Sequence, residues 1–140
     1  MATRIDTAEW RRSFQLLAIT PIELASLLLP GMRQRGWGRI VAILSSGVRQ
    51  PIPELAYSNA CRSALQAWLK TIAPEIITDG VTVNGVLPGR FETARVAFLD
   101  RARAERTGST EQEVRAERER SIPAGRYGTP DELGTYVAWL

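Results

Sequence analysis

Two short apolar runs, separated by one helix length of chain, constrain this sequence more than any other feature. Ile40 to Leu44 is β-branched and nearly all apolar, with Gly38 before it and Ser45-Ser46-Gly47 after it. Val81, Val83 and Val86 mark a second run, entered through Asp79-Gly80 and left through Pro88-Gly89. Such runs suit parallel strands buried on both faces, and parallel neighbours need a crossover long enough for a helix. The intervening segment provides one: after Pro53, residues Ala60, Cys61, Ala64, Leu65, Trp68, Leu69 and Ile72 form a broad apolar face. Two strands flanked by helices cannot complete a parallel sheet, because at least one more strand must cover them. The sequence therefore reads as part of a larger α/β domain.

The rest of the chain supplies helices and turns. Asp6 and Glu9 have capping-box spacing, with Thr7 as an alternative cap. Trp10, Phe14, Leu17, Leu24 and Leu28 then form a stripe, which predicts a helix over 7–30. Pro21 should kink or divide it, and Pro30-Gly31 should end it. The strands are expected at 39–44 and 80–87, and the central helix at 54–74. Residues 94–121 are charged and alanine-rich and read as one or two surface helices, broken at Thr107-Gly108-Ser109, with Thr110 and Glu113 placed to cap the second. Thr129-Pro130-Asp131-Glu132 starts a last helix over 130–140.

Composition removes several kinds of chemistry. The 140 residues contain no histidine, one cysteine (Cys61) and one lysine (Lys70). Histidine-based triads, ordinary zinc sites and an internal disulfide are excluded, and no metal site is expected. The net charge of +3 invites a nucleic-acid reading, but from Arg90 to Arg126 the arginines alternate with glutamates. Mixed signs at helical spacing describe an ion-paired, solvated face, so nucleic acid is not an expected partner. No apolar run is longer than the five residues Ile40 to Leu44 and the N-terminus has no apolar signal core, so neither a membrane span nor secretion is expected, and the cytoplasm is the default location.

The ordered series Gly38-Arg-Ile-Val through Ser45-Ser46, the central helix, Gly80-Val-Thr-Val-Asn-Gly-Val-Leu-Pro-Gly to Thr93, and Ile122-Pro-Ala-Gly-Arg-Tyr-Gly-Thr-Pro-Asp-Glu-Leu133 resembles the later part of short-chain dehydrogenases/reductases. The likeness is strongest to members described as 3-oxoacyl-(acyl-carrier-protein) reductase-like, and it covers residues 7 to 140. It implies an α/β fold, a doubly wound parallel sheet of Rossmann type. The N-terminal half with its glycine-rich cofactor turn and the last strand are not in these residues. It implies an NAD or NADP cofactor, a small-molecule or acyl-thioester substrate and a homodimer or homotetramer. Trp68 and Leu69 are the apolar candidates for a four-helix dimer interface.

The resemblance also assigns the site. The family places a serine after the fifth strand, a tyrosine thirteen residues on and a lysine four beyond it. Counted from Arg39, the serine falls on Ser45, the tyrosine position on Ser58 and the lysine position on Arg62. A competing register takes Tyr57 as the tyrosine, which places Cys61 at the cation position and shortens the loop by one residue. An asparagine of the preceding helix aligns with Leu17, and Asn84 has a structural counterpart in the sixth strand. Pro88, Gly89, Phe91 and Thr93 align with the contact to the nicotinamide carboxamide, Arg62 with a ribose contact, and residues 90–121 with a substrate lid.

Carbonyl reduction needs a proton donor beside the oxygen. A phenol at about 10 is lowered by an adjacent ammonium, whereas an aliphatic hydroxyl is far harder to tune into range. The expected activity is hydride transfer to or from a carbonyl or hydroxyl carbon, with this stretch alone inactive. The alternatives are a non-catalytic binding or dimerisation module, or a truncated gene product without independent function.

Overall fold

The computed structural model describes residues 6–140, and the chain divides after Pro88 into two compact units. In the first, the Asp6 carboxylate accepts the N–H groups of Ala8 and Glu9 at 3.0 and 3.1 Å and starts α1 (Thr7–Phe14). Gln15–Ile19 is one wide π-helical turn, and α2 (Thr20–Arg35) continues from it. The Thr20 N–H reaches back five residues to the Gln15 carbonyl. Pro21 has no N–H to give, so the break expected there takes the form of a widened turn just ahead of the proline.

The expected stop at Pro30-Gly31 does not occur. The helix carries Pro30 in its interior, at the cost of one backbone bond, and ends at Gly36. With φ at 63°, Gly36 lets its own N–H and that of Trp37 close onto the carbonyls of Arg33 and Met32, which satisfies the helix end. The wide turn also shifts the phase of the apolar stripe. Ala18 and Ile22 enter the core, while Leu24, Leu27 and Leu28 face outward, Leu27 at 77% exposure. The whole rod, Thr7–Arg35, is 29 residues and by length and composition alone is long and apolar enough to cross a membrane, which no single run in the sequence signals.

β1 (Gly38–Ile43) and β2 (Val81–Val86) pair in parallel, Gly38 opposite Val81 and Ile43 opposite Val86. β1 begins and ends one residue earlier than expected and β2 is two residues shorter, although the Leu44 N–H still reaches the Val86 carbonyl at 2.7 Å. α3 (Ala56–Ile76) is the crossover. It begins later than residue 54 because Glu54 sits at φ 68°, outside helical space, and it retains Pro74 in its last turn. Ala18, Leu44, Leu65 and Leu69 are buried together, with Ile22, Ile40, Ala42, Val83 and Leu87 against them. Burying each leucine contributes ~1.5–3 kcal/mol. Leu69 is therefore spent on the core, and Trp68 packs against it, which removes Leu69 from the interface the sequence proposed for it. At the start of the ladder Gly80, with φ 73°, meets the turn at Gly36: a Cβ on Gly80 would stand 2.1 Å from the Gly36 carbonyl oxygen.

The second unit, Gly89–Trp139, holds α4 (Ala94–Thr107), α5 (Glu111–Arg120) and α6 (Pro130–Trp139). Gly108, at φ 69°, breaks α4 from α5, and Thr110 and Glu113 form the capping box expected of them. Arg101–Glu111 and Arg103–Glu117, both at 2.8 Å, link the two helices as exposed pairs. Inside, the buried Asp100 accepts the Tyr127 hydroxyl at 2.8 Å and pairs with Arg118. Burial pushes the Arg118 guanidinium below its ordinary pKa, and the nearby Arg90 adds to the shift. Removing one partner of such a buried pair costs ~3–5 kcal/mol, more than the exposed pairs contribute together. Phe91 bridges to Gly128, where a Cβ would fall 2.6 Å from the phenyl ring. At the start of α6, Glu132 accepts the Thr129 N–H and a two-pronged Arg126, which hold its carboxyl down at about 2.

Two outcomes are expected. Gly36→Ala, with open space around it, lowers the urea midpoint by the cost of a left-handed alanine, ~1–2 kcal/mol. Gly80→Ala, blocked by a backbone carbonyl, lowers it further, and equal midpoints for the two variants would contradict the close junction. Glu132 has a depressed folded pKa, so its contribution to α6 is complete above the ordinary carboxylate value of about 4.5 and is lost as pH falls toward about 2. The Thr129 amide shift in a pH titration reads this directly, and Arg126→Ala moves the midpoint upward.

Candidate active site

The end of β1 and the first turns of α3 carry three of the predicted residues, Ser45, Ser58 and Arg62, in one region of the first unit. Ser45 follows β1 in extended conformation and caps a short 3₁₀ turn, Ser46–Val48, its Oγ accepting the Gly47 N–H at 3.1 Å. A hydroxyl that accepts in this way keeps its own hydrogen free to donate. Gly47 is buried, with no room for a side chain: a Cβ would lie 2.4 Å from Asn59 Oδ1.

α3 then decides which side chains face this strand end. Its buried row, Cys61, Leu65, Leu69 and Ile76, fixes the rotation of the helix. Arg62 leans across to β1, Nη1 donating to the Ile43 carbonyl at 2.5 Å, two residues before Ser45. Ser58 is one turn earlier on the same side of α3. Tyr57 is turned elsewhere: its ring meets Trp10 of α1 edge-on, centroids 4.6 Å apart. Cys61 is fully buried, and burial pushes its thiol pKa up. Arg62 pairs with a backbone carbonyl instead of the acid Glu54. Leu17, aligned with the family asparagine, falls within the π turn.

The residues that the resemblance aligns with the carboxamide contact are divided between the two units in the chain. Pro88 closes the first, while Gly89, Phe91 and Thr93 open the second. Thr93 Oγ1 accepts the Val96 N–H at 3.3 Å as the α4 cap, and Phe91 is held by the Gly128 bridge. A cleft of about 340 Å³ follows in the second unit, lined by Thr93, Asp100, Arg115 and Tyr127. Arg115 there is paired with Glu92 and Glu119 and lies 5.0 Å over the Tyr127 ring. Lys70 does not approach Arg62's bond to β1. It is exposed two turns further along α3, on a cleft of about 830 Å³ with Ser46, Arg49, Gln50 and Gln66.

Within the second unit, Gly89 leaves open space where a side chain would stand and Thr93 retains a hydrogen to give, a donor of the kind a carboxamide oxygen accepts; within the first, Arg62 keeps further N–H groups of the kind a ribose hydroxyl accepts. No glycine-rich turn between a first strand and its helix occurs in the 140 residues, so the pyrophosphate end has no counterpart here. Two features escape sequence reading: the Asn59 carboxamide beside Gly47, and the buried Asp100–Tyr127–Arg118 group. Asp100 looks like its charged neighbours in sequence, and no periodicity separates it from them.

Comparison with known proteins agrees with this geometry. The family described as "Enoyl-(Acyl carrier protein) reductase" matches residues 1–140. An acetoacetyl-CoA reductase of Cupriavidus necator is 32% identical over 138 residues, covering 98% of this chain and 51% of that protein. A D-beta-hydroxybutyrate dehydrogenase of the same organism is 34% identical over 131 residues, 88% of this chain and 50% of that one. Among solved structures, an actinorhodin polyketide ketoreductase with NADPH superposes with a TM-score of 0.90 at 27% identity, covering 100% of this chain and 54% of that one. L-sorbose reductase of Gluconobacter frateurii, complexed with NADPH and L-sorbose, gives 0.86 at 27% identity, over 96% and 52%. The chain thus spans about half the length of the relatives it matches. Its paired strands, crossover helix and strand-end serine are those of a partial Rossmann domain, and the chain belongs to the short-chain dehydrogenase/reductase family.

Proposed function

We propose that these residues form the substrate side of an NAD(P)-dependent oxidoreductase site that moves a hydride to or from a carbonyl or hydroxyl carbon. A 3-oxoacyl thioester is the substrate type we favour, on the strength of the family description and of an acyl-CoA reductase among the relatives. The observation that carries the reading is the bond from Arg62 to the Ile43 carbonyl, which supports the register that pairs Ser58 with Arg62. Tyr57, edge-on against Trp10, would have to leave that contact to serve as a proton donor.

In this reading Ser45 donates a hydrogen bond to the substrate oxygen and Ser58 adds a second donor beside it. Arg62 holds the strand end with one nitrogen and offers its others to ribose hydroxyls, and Pro88, Gly89, Phe91 and Thr93 receive the carboxamide. The bound cofactor supplies or takes the hydride. Ser58 is a poor general acid, so the proton on the product oxygen comes from water through the hydroxyl pair, and turnover is slow. The 140-residue stretch alone does not turn over. The location is the cytoplasm. The whole protein is a homodimer or homotetramer, with the outward leucines of α2 as the interface in place of Leu69.

A non-catalytic module is the second reading, favoured by the same bond. An arginine committed to a backbone carbonyl, with serine at the tyrosine position, is better suited to holding a ligand than to tuning an acid.

The test uses the full reading frame with NADPH and a β-keto thioester. Ser58→Ala lowers kcat, whereas Tyr57→Phe leaves it within about twofold, since the phenol faces Trp10. Restoring the acid with Ser58→Tyr and Arg62→Lys together raises kcat by ~10²–10⁴. Activity that survives Ser58→Ala but not Tyr57→Phe sinks the assignment, and nucleotide binding without turnover in every variant favours the second reading.

A further inference from the structure

The loop that joins β1 to α3 is held by a side chain the proposed mechanism does not use. Asn59 lies on the first turn of α3 with its carboxamide turned to the loop. Nδ2 donates to the Ile52 carbonyl at 2.9 Å, and Oδ1 accepts the Ile52 N–H at 3.4 Å. The same Oδ1 stands where a Cβ of residue 47 would be, 2.4 Å from it, so the carboxamide packs directly on the Gly47 backbone. Gly47 in turn gives its N–H to Ser45 Oγ. One planar group therefore restrains both ends of the arc from residue 47 to residue 52, and the near end of that arc is what orients the Ser45 hydroxyl.

The loop needs such a restraint. Between Ile52 and the helix, Glu54 has φ 68°, a left-handed conformation in a residue with neither glycine's freedom nor asparagine's tolerance. A strained residue of this kind persists only where its surroundings over-determine it, and such residues gather at functional loops. Leu55 donates to the Ile52 carbonyl at 3.2 Å, so the carbonyl that Asn59 holds also anchors the residue beyond the strained one. Ile52 is the point at which both restraints meet.

We propose that Asn59 is a positioning residue: through Ile52 and Gly47 it locks the loop over residues 45–55 and aims the Ser45 hydroxyl hydrogen away from the backbone, toward a substrate oxygen. The role of the lock in catalysis rests on the oxidoreductase reading of Ser45, while the lock itself does not. Asn59 touches neither substrate nor cofactor. Its neighbour Ser58 projects about 100° round the helix, so consecutive residues divide the work, one toward the site and one toward the loop.

Two measurements separate the lock from the reading it serves. Amide hydrogen exchange on the protein expressed from the full reading frame should show Gly47 and Ile52 protected. In Asn59→Ala both amides exchange faster, on the order of tenfold for the loss of two net hydrogen bonds, while the amides from Cys61 to Leu69 keep their protection. Gly47→Ala should open the same loop, yet cost little more when Asn59 is already alanine, because the atom it strikes is gone. Unchanged exchange at Gly47, or a Gly47→Ala cost that is equal in both backgrounds, overturns the lock. In the full reading frame, Asn59→Ala should lower kcat by roughly tenfold with KM for NADPH unchanged, and Asn59→Asp, which cannot donate to Ile52, should not restore it. A kcat equal to wild type overturns the positioning role. If wild type itself shows no turnover, the oxidoreductase reading fails, and the exchange at Gly47 alone decides the lock.

Discussion

The structure depends on the rotation of α3 about its own axis. A parallel strand pair forces a crossover, and the crossover helix must turn an apolar row onto the strands. Cys61, Leu65, Leu69 and Ile76 are that row. Once they are buried, every other side chain of α3 has its direction assigned. Arg62 falls over the end of β1, Ser58 lies one turn before it, Asn59 points to the loop and Tyr57 points to α1. The directions of the α3 side chains at the strand end thus follow from where the leucines go, while Ser45, on the loop, is oriented by its own hydrogen bonds. A shift of one residue in the buried row would exchange Tyr57 for Ser58 at the site.

This is why the fold was readable and the site only partly so. The two β-branched runs, the helix between them and the turns at Asp79-Gly80 and Thr107-Gly108-Ser109 carry local signals that tertiary packing does not override. Pro30-Gly31 carries an equally strong signal and was overridden, because the closure at Gly36 offered the helix a better end. The stripe from Trp10 to Leu28 failed for a different reason. It assumes a constant pitch, and the π turn ahead of Pro21 changes the pitch in the middle, so Leu24 and Leu28 lose the face that Ala18 and Ile22 take.

At the strand end, the resemblance pointed to Ser45 and Arg62 but could not choose between Tyr57 and Ser58, since adjacent residues differ only by the rotation that packing sets. Asn59 and Asp100 had no signal at all. A carboxamide on a helix and a carboxylate among arginines look ordinary until the partners, Ile52 and Tyr127, arrive from elsewhere in the chain. The two units also differ in how they are held. The first rests on leucine burial and a backbone ladder. The second, rich in arginine and glutamate, rests on the enclosed Asp100–Arg118 pair and the Tyr127 hydroxyl, with the exposed arginine–glutamate pairs around them.

The turns at Gly36 and Gly80 touch backbone to backbone beneath the ladder, with no side chain between them. A junction of that kind leaves no slack: lengthening either turn by one residue would separate the strand starts and slip the register, which would move Ser45 relative to α3. The opposite end of the ladder has no such restriction, because its loop is fastened by side chains that can be exchanged. A change in loop length would therefore be tolerated at one end of this sheet only, the end that carries Ser45, while the register stays put.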